Sequence, residues 1–155
     1  MRLALYQQDI PQNTGAMLRL AACFGLAVDI IEPCGFVLDD KRLRRVGMDY
    51  LEHVELRRHT SWSAYVDWRK AAAGDAGRLI LLTTKAALSY TEVQYGPADS
   101  LLVGQESAGV PDMVRDAADL AVRIPMRQGL RSLNVAMAAA IVAGEAIRQT
   151  GLAST

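Results

Sequence analysis

The chain has 155 residues, 51% of them hydrophobic and 22% charged, enough for a full hydrophobic core in one domain spanning 1–155. Seventeen Lys and Arg balance seventeen Asp and Glu, which argues against a global basic field for nucleic acid but leaves a local patch open. The opening Met1-Arg2-Leu3-Ala4-Leu5-Tyr6 is too short for a signal peptide, and the longest apolar run, 135–143, is far short of the roughly 20 residues that cross a bilayer.

Arg2 to Tyr6 reads as a short buried strand. Pro11-Gln12-Asn13-Thr14-Gly15 leads into a helix with Met17, Leu20, Ala21 and Phe24 as its apolar stripe, Asn13 or Thr14 as N-cap, and Gly25 just past its end. Arg19 is the one charge on that helix and lies opposite the stripe. A guanidinium there calls for a partner, either an anionic ligand or a carboxylate such as Glu106. Ala27 to Ile31 is a second strand, Pro33-Cys34-Gly35 a loop, and Asp39 to Arg45 a short helix whose charges suit its dipole. Its bases Lys41, Arg42, Arg44 and Arg45 form a solvated face or, with Arg57-Arg58-His59, a track for a phosphate backbone. Cys23 and Cys34, with no CxxC spacing, fit structural thiols of a reducing compartment, the cytoplasm.

His53 to Leu56 is a candidate third strand, and Ser61 caps a helix through Ala73 that Gly74 and Gly77 end. Arg78 to Thr83, Ser100 to Gly104 and Leu120 to Ile124 are further strands, with Pro111 where a helical turn would start between the last two. The final helix runs from about Leu133 to Gln149, and the tail Gly151 to Thr155 frays. Strands alternating with helices predict an α/β fold with a mostly parallel sheet. From Val135 to Gly144 the last helix is apolar on nearly every face, so it is buried all round, and a second copy of the chain is the simplest cover.

Two strands run into loops of glycine and small polar residues, which let backbone groups approach a ligand. Glu106 stands between Gly104 and Gly109, directly after a strand, where open α/β sheets bind ligands; its plainer role is a helix cap. Ser132 and Asn134 bracket the start of the last helix and suit an N-cap, a ligand, or both. Arg127 and Arg131 share that loop. GxSxG, Walker and GxGxxG motifs are absent, so hydrolase and P-loop readings drop out. His53 and His59 lack companions that suit zinc, so no metal is expected.

Taken in order, Ile10-Pro11-Gln12-Asn13-Thr14-Gly15 with Arg19, Ile31-Glu32-Pro33, Gly35-Phe36, Asp39 to Arg45, Gly47, Asp49-Tyr50 and Leu82 to Lys85 form one pattern. Gly104, Glu106, Gly109, Pro111, Ile124-Pro125-Met126 and Arg131 to Asn134 complete it. In these residues the chain resembles the SPOUT superfamily of RNA methyltransferases, and within it the small tRNA 2′-O-methyltransferases of the wobble nucleotide, a cytidine or modified uridine. The resemblance implies helices on both faces of the sheet and a C-terminal segment threaded into a deep trefoil knot, a rare exception to unknotted topology. It also implies an S-adenosylmethionine pocket in that knot, with S-adenosylhomocysteine as product, and a homodimer that completes the active site.

By position, Leu82, Gly104, Ile124, Met126, Ser132 and Leu133 match cofactor-lining residues. Arg19, Asn13, Glu106, Ser132 and Asn134 match positions tied to catalysis. The anticodon loop would lie over Lys41, Arg42, Arg44, Arg45 and Arg131. The sequence departs from the pattern at Gln105, where some relatives have proline, at Gln128-Gly129-Leu130, and at Ala136, where serine often follows the asparagine. Two alternatives stay open: 2′-O-methylation of ribosomal RNA or another tRNA position, and an inactive RNA-binding factor on the same fold.

Overall fold

Alternation along the strands divides the apolar residues between two helix layers. In the computed structural model, which describes residues 1–39, 41, 44, 45, 48–72 and 76–151, the strands are β1 (Arg2–Tyr6), β2 (Ala27–Ile31), β3 (Leu56–His59), β4 (Leu79–Leu82), β5 (Leu88–Ser89), β6 (Ser100–Val103) and β7 (Leu120–Arg123). They form one sheet in the order β3-β2-β1-β6-β4-β7-β5, with every pairing parallel. The helices are α1 (Pro11–Phe24), α2 (Trp62–Ala71), α3 (Asp112–Ala117) and α4 (Val135–Thr150).

Leu3, Leu5, Val28, Ile30, Leu101 and Val103 face α1 and α4, where they meet Met17, Leu18, Ala21, Val142 and Ala143. Ala4, Tyr6, Ile31, Leu79, Leu81 and Leu102 face the other way, onto Trp62 and Tyr65 of α2 and Val114 of α3. Because all strands run in one direction, the loops after β1, β4, β6 and β7 gather at one edge of the sheet, where such folds build sites.

Several local expectations meet their residues. Gly25 ends α1 in the left-handed region at φ 64°, and the Ser61 hydroxyl caps α2 by accepting the Ala64 N–H at 3.1 Å. Others are corrected. Pro11 opens α1, with Ile10 at the N-cap position and no side-chain cap, so Asn13 and Thr14 already lie inside the helix. Proline suits that first position because it has no N–H to leave unpaired. Met17 and Ala21 of the stripe are fully buried, Leu20 and Phe24 only partly, and Leu18 joins the core. His53 closes a 3₁₀ turn (Met48–His53), and the third strand starts later, at Leu56. β5, two residues long, carried no readable pattern. Cys23, read as a structural thiol, is exposed. Ala73, Gly74 and the tail beyond Gly151 lie outside the described residues.

The cluster Arg57-Arg58-His59 belongs to β3, at the sheet edge, and its side chains are engaged within the fold. Arg57 stacks 4.5 Å above the Trp68 ring and Arg58 donates to Glu32 Oε1 at 2.7 Å. His59 is buried with its Nε2 at 2.8 Å from Asp29 Oδ1, between the rings of Tyr65 and Trp68. Arg2 Nε donates to the other oxygen of Asp29 at 2.6 Å. Each member of the cluster thus has a partner within the fold. No helix among the described residues is long and apolar enough to cross a membrane.

Candidate functional site

The loops at the carboxyl edge enclose a cavity of about 340 Å³. Leu82 ends β4, Gly104 follows β6, and Ile124 and Met126 follow β7; all four line it. Ser132, Leu133 and Asn134 close it from the approach to α4, while Asn13 and Glu106 stand on its polar side. Leu82, Ile124, Met126 and Leu133 make most of one wall apolar, as in sites for compact organic ligands.

Gly104 is required sterically. A Cβ there would lie 2.5 Å from the Gly109 carbonyl carbon and 2.7 Å from its oxygen, so any side chain forces two backbone segments apart. They are joined by reciprocal bonds, Gln105 N–H to Gly109 O and Gly109 N–H to Gln105 O, both 2.9 Å. Gly109 makes this turn at φ 64°. The buried Gln8 side chain donates to Gly104 O at 2.8 Å and ties the loop after β1 to the same place.

A chain of hydrogen bonds crosses the polar side. Asn134 caps α4 by accepting the Ala136 and Met137 N–H groups at 2.9 and 3.3 Å. Its Nδ2 donates to Asn13 Oδ1 at 2.9 Å, and Asn13 Nδ2 donates to Glu106 Oε1 at 3.2 Å. The other Glu106 oxygen accepts the Asp9 N–H at 3.1 Å. Burial, then the neighbouring Asp9 carboxylate, pushes the Glu106 acid up from its ordinary value. Hydrogen bonds with Glu106 and Ser107 hold Asp9 below its own. Burial, reinforced by Glu32, pushes the Cys34 thiol up to about 11, which leaves it protonated and inert near neutrality.

The structure therefore gathers Asn13, Leu82, Gly104, Glu106, Ile124, Met126, Ser132, Leu133 and Asn134 around one space. Arg19 is not among the lining residues. It is exposed on α1, with its guanidinium 4.9 Å over the Tyr50 ring, and it makes no ion pair with Glu106, whose carboxylate is taken by Asn13 and Asp9. Glu106 does not cap the next helix either; Pro111 stands at the N-cap of α3. Ser132 lies ahead of α4, which Asn134 alone caps. Lys41, Arg44, Arg45, Arg127 and Arg131 are exposed, and Arg42 lies outside the described residues.

Sequence reasoning missed Gln8, Asp9, Thr83 and Thr84. For Asp9 a signal existed, an acid just past a buried strand at the carboxyl edge. The last helix is also less enclosed than its composition suggests. Met137 is 62% and Ile141 38% exposed, and in the loop before the helix Leu130 is 66% and Leu133 41% exposed. The alanines pack inward, and the larger side chains four residues apart form an open apolar strip.

The model of the SpoU rRNA Methylase family matches residues 1–144. A Beijerinckia indica protein called tRNA (cytidine(34)-2′-O)-methyltransferase is 55% identical over 149 residues, 96% of this chain and 91% of that one. An Escherichia coli K12 protein of the same description is 41% identical over 97% of this chain and 94% of its own. Among solved structures, one presented as structural insights into the 2-OH methylation of C/U34 on tRNA superposes with a TM-score of 0.85 at 38% identity, covering 96% of this chain and 94% of that one. The SpoU methyltransferase AviRb of Streptomyces viridochromogenes, in complex with the cofactor AdoMet, superposes with a TM-score of 0.86 at 28% identity, over 96% of this chain and 60% of AviRb.

Proposed function

The chain belongs to the SpoU rRNA methylase family, and from that premise we propose that it methylates the ribose 2′-hydroxyl of the tRNA wobble nucleotide, position 34, as its relatives' names describe. One observation carries the reading beyond likeness. Residues from five separate stretches of sequence converge on a single cavity whose glycine wall admits no side chain.

The cavity suits S-adenosylmethionine, the compound bound to AviRb. Leu82, Gly104, Ile124, Met126, Ser132 and Leu133 would hold it, offering both apolar side chains and polar groups. When bound, it supplies a methyl group already activated by the sulfonium charge, with S-adenosylhomocysteine left as product. The protein's own task is orientation, holding the ribose oxygen in line with the group it attacks. Asn134, Asn13 and Glu106 keep the polar wall rigid through their hydrogen-bond chain. Arg19 stabilises the ribose oxygen as its proton leaves to an RNA phosphate or to water, acting as a hydrogen-bond donor and not as a base.

Arg19 lies off the cavity of its own chain, and Leu130, Leu133, Met137 and Ile141 are exposed. Both observations support a homodimer in which one protomer brings Arg19 to its partner's cavity. After β7 the chain returns to set Ser132 to Asn134 beside Gly104 to Glu106, and α4 then packs on α1 and β6. That return supports the threading of a trefoil knot. The unpaired thiols fit a reducing cytoplasm.

The anticodon loop offers unstacked bases and open 2′-hydroxyls, which we place against Lys41, Arg42, Arg44, Arg45 and Arg131. Neutralising Lys41, Arg44 and Arg45 together should flatten the slope of log affinity against log salt by about 2. An unchanged slope removes that surface from the account. The central test is incubation with labelled S-adenosylmethionine and total tRNA, followed by alkaline hydrolysis. Methylation removes the 2′ nucleophile, so the ladder should lack one band, at the wobble nucleotide. A gap elsewhere, or no label at all, sinks the assignment.

A further inference from the structure

Asp9 lies just outside the cavity, between two loops that press on it. From one side, a Cβ on Gly35 would stand 2.7 Å from the Asp9 Cβ and 2.9 Å from its Cα, so the loop after β2 packs directly against it. The Gly35 N–H donates to Gln8 O at 2.9 Å and fixes that approach. From the other side comes the loop after β6. Asp9 N–H donates to Glu106 Oε2 and Glu106 N–H donates to Asp9 Oδ1, each at 3.1 Å, and the Ser107 hydroxyl donates to Asp9 Oδ2.

The Glu106 carboxylate is thus gripped at both oxygens, one by Asn13 and one by the Asp9 backbone, while its own N–H rests on the Asp9 side chain. We propose that Asp9 is a positioning residue for methyl transfer, acting through Glu106 by fixing the segment that carries it, without reaching the reacting atoms. The inference rests on the methyltransferase reading above. The electrostatics agree with it: of two facing acids, Asp9 is held below its ordinary value and Glu106 is pushed above, so the charge of the pair forms on Asp9 first.

A double-mutant cycle tests this. Asp9→Ala should lower kcat about 100-fold, the cost of a misplaced reacting geometry, with the tRNA KM and the S-adenosylmethionine Kd unchanged within about threefold. Asp9→Asn keeps an acceptor for the Glu106 N–H and should recover part of the loss. In a Glu106→Gln background, Asp9→Ala should cost little more, because the two act as a unit. Losses that multiply across the cycle overturn the role, as does a kcat for Asp9→Ala equal to wild type. Activity that merely tracks the folded fraction of both Asp9 variants, read by thermal melting, assigns Asp9 a structural part and overturns it too. A wild-type chain that methylates no RNA strikes the methyltransferase reading and this role with it; an active wild type with an indifferent Asp9→Ala strikes the role alone.

Discussion

Arg19→Ala is expected to slow methyl transfer to tRNA by about 100- to 1000-fold, the range for loss of one donor to a developing oxyanion. Calorimetry with S-adenosylmethionine should return nearly the wild-type affinity, because Arg19 is not among the cavity-lining residues. Stability should change by less than about 0.5 kcal/mol, since the side chain is exposed and, among the described residues, its ring contact is with Tyr50. Loss of cofactor binding in this variant would refute the assignment. The homodimer reading adds a sharper result. Gly104→Ala carries Arg19 but a disrupted cavity, and Arg19→Ala carries an intact cavity without the guanidinium. Mixed and refolded in equal amounts, they should recover about a quarter of the wild-type activity, since half the dimers then hold one complete site. No recovery means that each chain uses its own Arg19.

Asp29→Ala should be the most damaging change to stability. Asp29 is fully buried and holds both the His59 ring and the Arg2 guanidinium, whose side chain is only 15% exposed. Removing it takes the carboxylate from His59 and leaves Arg2 with the exposed Glu55, 3.0 Å away; breaking a buried charged cluster from one side costs about 3–5 kcal/mol. For a domain of this size, the melting midpoint should fall by about 10 °C or more. Asp29→Asn, which keeps an acceptor and the packing volume, should cost clearly less. A midpoint within about 2 °C of wild type for Asp29→Ala would mean that the aromatic rings around His59 carry that corner without the carboxylate.

The strands whose both faces are covered were legible because burial leaves a run of Leu, Ile and Val with no polar face to interrupt it; β4 and β6 are of this kind. The helix ends at Gly25 and Ser61 were legible because capping is local chemistry. β3 was not. Its Arg57-Arg58-His59 reads as surface charge, and only the folded chain supplies Trp68, Glu32 and Asp29 as partners. The same limit applies to Arg19, whose isolation on an apolar helix was plain while its neighbour Tyr50, from a distant turn, was not. Of the site, the residues that meet were recognised, but the hydrogen-bond order among them was not. That order depends on backbone groups of Asp9, Glu106, Ala136 and Met137, which no side-chain pattern records.

The bond from Asn134 to Asn13 joins residues 121 positions apart. Everything through β7 can be synthesised and paired into its sheet while the pocket still lacks the wall that Ser132 to Asn134 supply. A growing chain therefore lacks that wall until residues 132–134 have been made and have docked against the loops after β4 and β6.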